Sequence, residues 1–348
     1  MRKYATIHFG ITWRVLFGAL VLTAPWAVGA APISITTVPV GNVSNADDPL
    51  TGNQYGGVDH AYRIATTEVT NDQYVAFLNE KAKSDPLELY STSMASEPRG
   101  GIIRSGASGS YTYAPKPNMG DKPVNYVSWY DAIRFANWLN NGQGNADTET
   151  GAYTILGGTP EPSNGDSITR NAGATWFLTS EDEWYKAAYH QPTAQGGDVD
   201  NYWLYPTATN AIPTVATADA VGNISNPGPN VVNYNKGADW NGLDGNVTTV
   251  GSAGPLSASF YGTFDQGGNV DEWNESLAKA GYRGVRGGSW DRNEATVVAP
   301  GISSDGATHE HSNIGFRVAM VPEPSALALA GIGALGFVVR LFRRRATN

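Results

Sequence analysis

The sequence predicts a single α+β domain with much irregular chain. Three observations carry this: three capped helix starts each entered from an extended segment, no βαβ alternation that would call for a parallel sheet, and 41 Gly with 20 Pro in 348 residues. Thr70-Asn71-Asp72-Gln73 has capping-box spacing, and Tyr74, Phe77 and Leu78 then share one helical face. Ser128-Trp129-Tyr130-Asp131 is a carboxylate variant of the same start, followed by Ile133, Ala136 and Leu139 and stopped by Asn140-Asn141-Gly142. Ser180-Glu181-Asp182-Glu183 is the third, with Leu178 and Trp184 placed to pack across the turn and Ala187 and Ala188 continuing the stripe. Polar stretches 142–173 and 191–230 lack periodicity and read as binding loops, variable insertions or mobile regions. Gly287-Gly288 permits close backbone approach or positive φ. Ile314 to Val318 alternates like a last strand, with Arg317 opposite its apolar face or pinned by a buried acid. The eight tryptophans between the two ends of the chain are read as core.

Composition excludes several chemistries. Apolar residues at 41% and aromatics at 11% suffice for a sizeable core. The absence of cysteine rules out disulfides, thiol nucleophiles, zinc-thiolate sites and iron–sulfur clusters. A net charge of −9 argues against nucleic acid as a partner.

The two ends predict export. Residues 1–30 carry Arg2, Lys3 and Arg14, then the apolar run Val15 to Trp26 and small residues before a cut expected after Ala30, the parts of a secretory signal peptide; an uncleaved anchor is the alternative. At the other end, 321–348, Pro322-Glu323-Pro324 precedes an apolar segment from Ser325 to Phe342, broken only by Arg340, and the basic cluster continues with Arg343, Arg344 and Arg345. The segment is slightly short of the ~20 residues of a spanning helix, and the basic cluster puts the tail in the cytoplasm and the body outside. This tail resembles the PEP-CTERM sorting signal of bacterial exported proteins. The resemblance implies recognition by an exosortase-type processing enzyme, passage through the inner membrane, and delivery of the body to the cell surface or extracellular matrix, with the C-terminal helix in the membrane before processing. A plain tail anchor is the alternative. With the seven bases and one acid of these ends set aside, 16 bases and 31 acids remain in the body, a net of −15, which divalent cations would relieve.

Within the body, 31–320, six segments occur in order: Thr67 to Tyr74, Pro123 to Trp129, Phe177 to Trp184, Gly268 to Trp273, Arg286 to Trp290 and Ile314 to Val318. Together they resemble the signature segments of the formylglycine-generating enzyme (sulfatase-modifying factor) family. The resemblance implies a fold related to C-type lectins, with short helices, small twisted sheets and much loop. Active members oxidise a sulfatase cysteine using copper held by two cysteines. The matching positions here are Arg292 and Val297, so neither copper binding nor that oxidation is expected. Ser289, Trp290, Arg292, Ser312 and Asn313 would then outline a ligand cleft.

The same resemblance implies two calcium loops. One comprises the side chains of Asp265 and Glu272 with carbonyls of Gly268 and Val270; the other comprises Asn233 and Asp244 with carbonyls of Tyr234 and Asn246. From spacing alone, Asp and Asn beside Gly read better as turns; with the resemblance, calcium is preferred. His309-Glu310-His311 places two imidazoles where they could share a transition metal, but a solvated loop is the preferred reading. The expectation is an exported, calcium-stabilised, non-catalytic module that binds a surface glycan or polypeptide. The rivals are an enzyme on the same scaffold using residues around Asp291, Arg292 and Ser312, and a structural envelope protein.

Overall fold

Each capped start opens a helix. Thr70, Ser128 and Ser180 accept from the amide three residues on, while Gln73, Asp131 and Glu183 reach back to the cap amide. The computed structural model describes residues 32–321. The expected signal peptide, and the sorting signal with Pro322, Glu323, Pro324 and the apolar segment behind them, lie outside the described residues.

Among the described residues there are five α-helices: α1 (Asn71–Lys81), α2 (Ser93–Ser96), α3 (Trp129–Asn140), α4 (Glu181–Tyr189) and α5 (Glu294–Val297). The strands are β1 (Thr37–Val40), β2 (Tyr62–Ala65), β3 (Ile102–Ser105), β4 (Thr112–Pro115), β5 (Trp176–Leu178), β6 (Thr214–Val215), β7 (Val231–Val232), β8 (Asp271–Lys279), β9 (Tyr282–Arg286), β10 (Ser303–Gly306), β11 (Ile314–Phe316) and β12 (Val318–Met320). They form sheets of order β1-β2-β12-β5 and β10-β9-β8-β11, with small pairs β3-β4 and β6-β7. None of the described helices is long and apolar enough to cross a membrane.

The last segment departs from a single alternating strand. Ile314, Gly315 and Phe316 are all buried in β11, whereas Val318 to Met320 belong to β12 in the other sheet. Arg317 sits at the crossover and is fully buried. The missing βαβ pattern correctly excludes a doubly wound sheet but not parallel pairing: β11 runs parallel to β8, with Ile314 opposite Asp271. The chain returns to it through β9 and β10 rather than through a crossover helix.

The core differs along the chain. Residues 129–139 of α3 are all buried, and Phe135 lies 5.4 Å from both Phe77 and Phe316, centroid to centroid. Such aromatic pairs add about 0.5–1.5 kcal/mol each beyond their buried area. Of the eight tryptophans, Trp129, Trp138, Trp184 and Trp273 are among the largest fully buried side chains. Between α4 and β8 the chain has little regular structure, and asparagine does the work of a ladder. Asn230, at φ 55°, donates to the carbonyls of Ala211 and Ile212 and accepts from Thr207. This explains the polar composition of that stretch, because amide side chains tolerate the left-handed region and pair with backbone groups.

Candidate functional site

Gly287 and Gly288 close β9 in a turn that only glycine fits. Their φ values are 98° and 70°. A Cβ on Gly287 would lie 2.7 Å from the Gln266 carbonyl, and one on Gly288 would lie 2.5 Å from Thr296 Oγ1 and 2.9 Å from Val297 Cγ1. The turn sets Ser289 against Asp271, the first residue of β8. Ser289 Oγ is 3.2 Å from Asp271 Oδ2 and 2.8 Å from Asp291 Oδ1. Asn313 Nδ2 donates to Asp291 Oδ1 at 3.1 Å, and the Asn313 carbonyl accepts from the Asp271 amide at 2.8 Å.

Arg292 and Val297 have diverged in different ways. Arg292 is half-exposed and places Nε 3.7 Å from Asp271 Oδ2. Val297 is fully buried and packs with Tyr205, Val232 and Tyr234. Burial pushes the Asp271 carboxyl up to about 7, against the opposing pull of Arg292 and the Ser289 hydroxyl. Trp290 is buried under the Arg99 guanidinium, 4.1 Å from its ring centroid, and packs against Met119, Trp240, Val247 and Val270, so it forms a wall rather than an open platform. Ser312 contributes its carbonyl, which accepts from Asn125 Nδ2 at 2.8 Å and from Trp290 Nε1 at 3.4 Å.

A small cavity of about 50 Å³ touches Asp271, Gly288 and Thr296 and shares Ile302 and Ser303 with a groove of about 520 Å³. Tyr55, Glu181, Asp182 and Leu277 line the groove. Glu181 pairs there with the buried Arg286, whose Nη2 has no partner among the described residues. Tyr55, Leu277 and Ile302 lie in none of the six segments; Glu181 and Asp182 do, but the sequence read them as a helix start, not as the wall of a groove.

The residues expected to hold calcium fall into two environments. Glu272 is wholly buried, and its carboxylate receives Arg317 Nε at 2.5 Å, Arg317 Nη2 at 2.6 Å and Trp184 Nε1 at 2.8 Å. Asp265 takes the Gly251 amide at 2.5 Å, and burial raises it to about 6. Glu68, which the sequence did not single out, joins this cluster: Asn269 Nδ2 donates to its Oε1, while its Oε2 is buried without a partner among the described residues. Burial and the neighbouring Asp265 push Glu68 far up. In the sequence it stood between Thr67 and Val69 in the first of the six segments, just before α1, with nothing to mark it as a ligand.

In the other loop, Asn233 Nδ2 donates to the Asn246 carbonyl at 2.9 Å, and Asn233 Oδ1 is buried without a partner among the described residues. The Asp244 carboxylate is exposed, 3.6 Å from Lys236 Nζ. Tyr234 is buried, and its amide carbonyl accepts from the Gly237 amide. Gly268 and Val270 are buried beside Asn233 and Trp290 respectively. All these donors are oxygens, which suits a hard cation. The orphan Asn233 Oδ1 beside the Asn246 carbonyl fits one. In the first loop Asp265 fits, with Glu68 beside it, but the Glu272 carboxylate is committed to Arg317 and Trp184.

Residues 32–321 match the family model described as sulfatase-modifying factor enzyme 1-like domain, and residues 321–345 match the PEP-CTERM protein-sorting motif. A curated relative, "Chaperone protein LppX" of Paenibacillus barcinonensis, is 26% identical over 199 residues, covering 52% of this chain and 64% of that protein. The chain thus spans just under two thirds of that relative's length. Among solved structures, CarF aligns with a TM-score of 0.50 at 20% identity, covering 83% of this chain and 99% of CarF. Treponema denticola variable protein 1 aligns with a TM-score of 0.48 at 20% identity, covering 83% and 96%. The likeness to CarF establishes a shared fold.

Proposed function

The chain belongs to the sulfatase-modifying factor enzyme 1-like domain family and carries a PEP-CTERM sorting motif, and on that premise we propose that its body is a non-catalytic binding module, stabilised by calcium, that takes a glycan or polypeptide of the envelope or extracellular matrix. The sorting motif directs export and cell-surface delivery through an exosortase-type system. One observation carries the non-catalytic reading. Where active relatives place two thiolates, this chain has a guanidinium turned onto Asp271 and a valine sealed in the core. Neither can hold copper(I), which soft sulfur ligands select.

Binding is supported by the groove that runs from Tyr55 past Ile302 and Ser303 to the cavity beside Asp271. It combines an aromatic ring, exposed Leu277 and Ile302, and the Glu181 and Asp182 carboxylates, a mixture suited to hydroxyl-rich or peptide ligands. A polypeptide has the added support that the curated relative is described as a chaperone. Calcium is supported by the orphan oxygens of Asn233 and Glu68 inside a body of net −15. Asn233, Asp244 and the Asn246 carbonyl would hold one ion and Asp265 another, the second neutralising a carboxylate that burial otherwise raises.

The test applies the full-length chain, with calcium, to glycan and peptide arrays. A ligand retained by the wild type and lost in Tyr55→Ala supports the reading, and silence on both arrays overturns it. Incubation with a sulfatase-motif peptide, copper and reductant is expected to leave the cysteine unoxidised. Appearance of the aldehyde would sink the non-catalytic claim.

A further inference from the structure

The turn after β10 brings together three side chains that neither the groove nor the calcium loops use. Asp305 occupies the third position of β10, paired with Arg283, and the chain then reverses so that the His309 amide donates to the Gly306 carbonyl at 2.8 Å. His309 Nδ1 thereby reaches Asp305 Oδ1 at 2.6 Å, and His311 Nε2 lies 3.3 Å from Asp305 Oδ2. One ligand atom from each residue lies within 4.8 Å of the others.

The seat is shaped for the imidazole. A Cβ on Gly306 would come within 2.9 Å of His309 Nε2 and Cε1, so a side chain there would push the ring off Asp305. The His309 ring also stands edge-on to Tyr282, and the His311 carbonyl is held by the Tyr126 amide at 3.0 Å. Glu310, between the two histidines, turns away into a cavity of about 430 Å³ that Asp85 and Glu88 also line. Both imidazoles and the carboxylate remain about half to a quarter exposed, open to an incoming ion.

We propose that Asp305, His309 and His311 form a binding site for a borderline divalent transition metal of the zinc class, with solvent completing the coordination. Two nitrogens and one carboxylate oxygen are a zinc-type donor set, and they are chemically distinct from the oxygen-only calcium loops. Donors about 2 Å from a shared ion stand at most about 4 Å apart, so closure needs only a small ring movement. On binding, His309 offers Nδ1 as an unprotonated nitrogen, its one N–H carried on Nε2 in the neutral tautomer, and the ion takes the place of the His309 Nδ1–Asp305 Oδ1 hydrogen bond. The ion would pin the segment that leads directly into Ser312 and Asn313, so it would act as a positioning staple for the Arg292 end of the groove.

The test titrates Co²⁺ into the calcium-saturated full-length chain, following the visible absorption of the ion, and then displaces it with Zn²⁺. One equivalent with nitrogen-ligand bands is expected, with affinity at least tenfold weaker in each of His309→Ala, His311→Ala and Asp305→Ala. His60→Ala, at another exposed histidine that meets carboxylates, should leave the stoichiometry unchanged. Circular dichroism of each metal-free variant separates lost binding from lost folding. Equal Co²⁺ binding by the wild type and a folded His309→Ala/His311→Ala double variant, or no binding by the wild type, overturns the site.

Discussion

The region built from α1, α3, β5 and β11 and the region of residues 191–272, into which Glu68 and Arg317 reach, solve the same problem by different means. In the first, Tyr74, Phe77, Phe135, Trp138 and Phe316 interlock as rings, and stability comes from apolar area removed from water. In the second, buried amides and ion pairs replace both the ladder and much of the grease: Asn233, Asn269, Glu68, Glu272 and Arg317 are buried, with the half-buried Asp265 beside them. Apolar packing tolerates changes of pH and ions. A polar interior is stable only while each charge keeps its partner.

The sharpest way to break this contrast is to remove one partner. Glu272→Gln leaves Arg317 buried without its counter-charge and is expected to cost about 3–5 kcal/mol in urea unfolding. Phe135→Ala should cost a similar ~3–5 kcal/mol through a cavity. The two then separate by condition: the Phe135→Ala loss should be the same at neutral and acid pH.

Acid provides the next largest effect. Burial opposes ionisation of Glu183, but Arg170 and His60 beside it hold the carboxyl down at about 2. A carboxyl depressed in the folded state stabilises fully above its unfolded value of 4.5, and that contribution disappears as pH falls toward 2. The stability gap between wild type and Glu183→Gln should therefore be roughly 3 kcal/mol near neutrality and shrink across that window. A gap independent of pH would show that the Arg170 pair contributes little.

Calcium removal should follow. At a hundredfold excess over its dissociation constant, one ion adds about 2.7 kcal/mol. A chelator should lower the thermal midpoint and speed amide exchange at 233–272 before 71–139. Uniform acceleration, or none, would remove the calcium part of the contrast. Smallest of all, Thr70→Ala, Ser128→Ala and Ser180→Ala should each cost about 1 kcal/mol by urea unfolding, since each deletes the side-chain acceptor of a first-turn amide.

The aromatic region was legible because its signals are local. Capping boxes and a 3.6-residue stripe act over a few positions, and α1, α3 and α4 begin at the residues those signals name. The sorting motif and the family segments were legible for a related reason, as contiguous strings. Glu181 and Glu183 show the limit of that reading: they start a helix as expected, but each is also half of an ion pair, with Arg286 and Arg170. Arg286 is 105 positions away from Glu181, so no spacing rule reaches it.

The sequence by itself determined the fold class, the helix starts, the family and the absence of every thiol, since each depends on residue type or on neighbours within a turn. Only the tertiary structure decided that Arg317 stands between two sheets, that Glu68 completes an acidic cluster, that Arg292 rests on Asp271 while Val297 joins the core, and that Asp305 meets His309 and His311. Each of those contacts is closed by strand pairing, a chain reversal or packing around a glycine turn. A side chain's chemical environment is set by what the fold brings to it, and the chain order of residues does not carry that information.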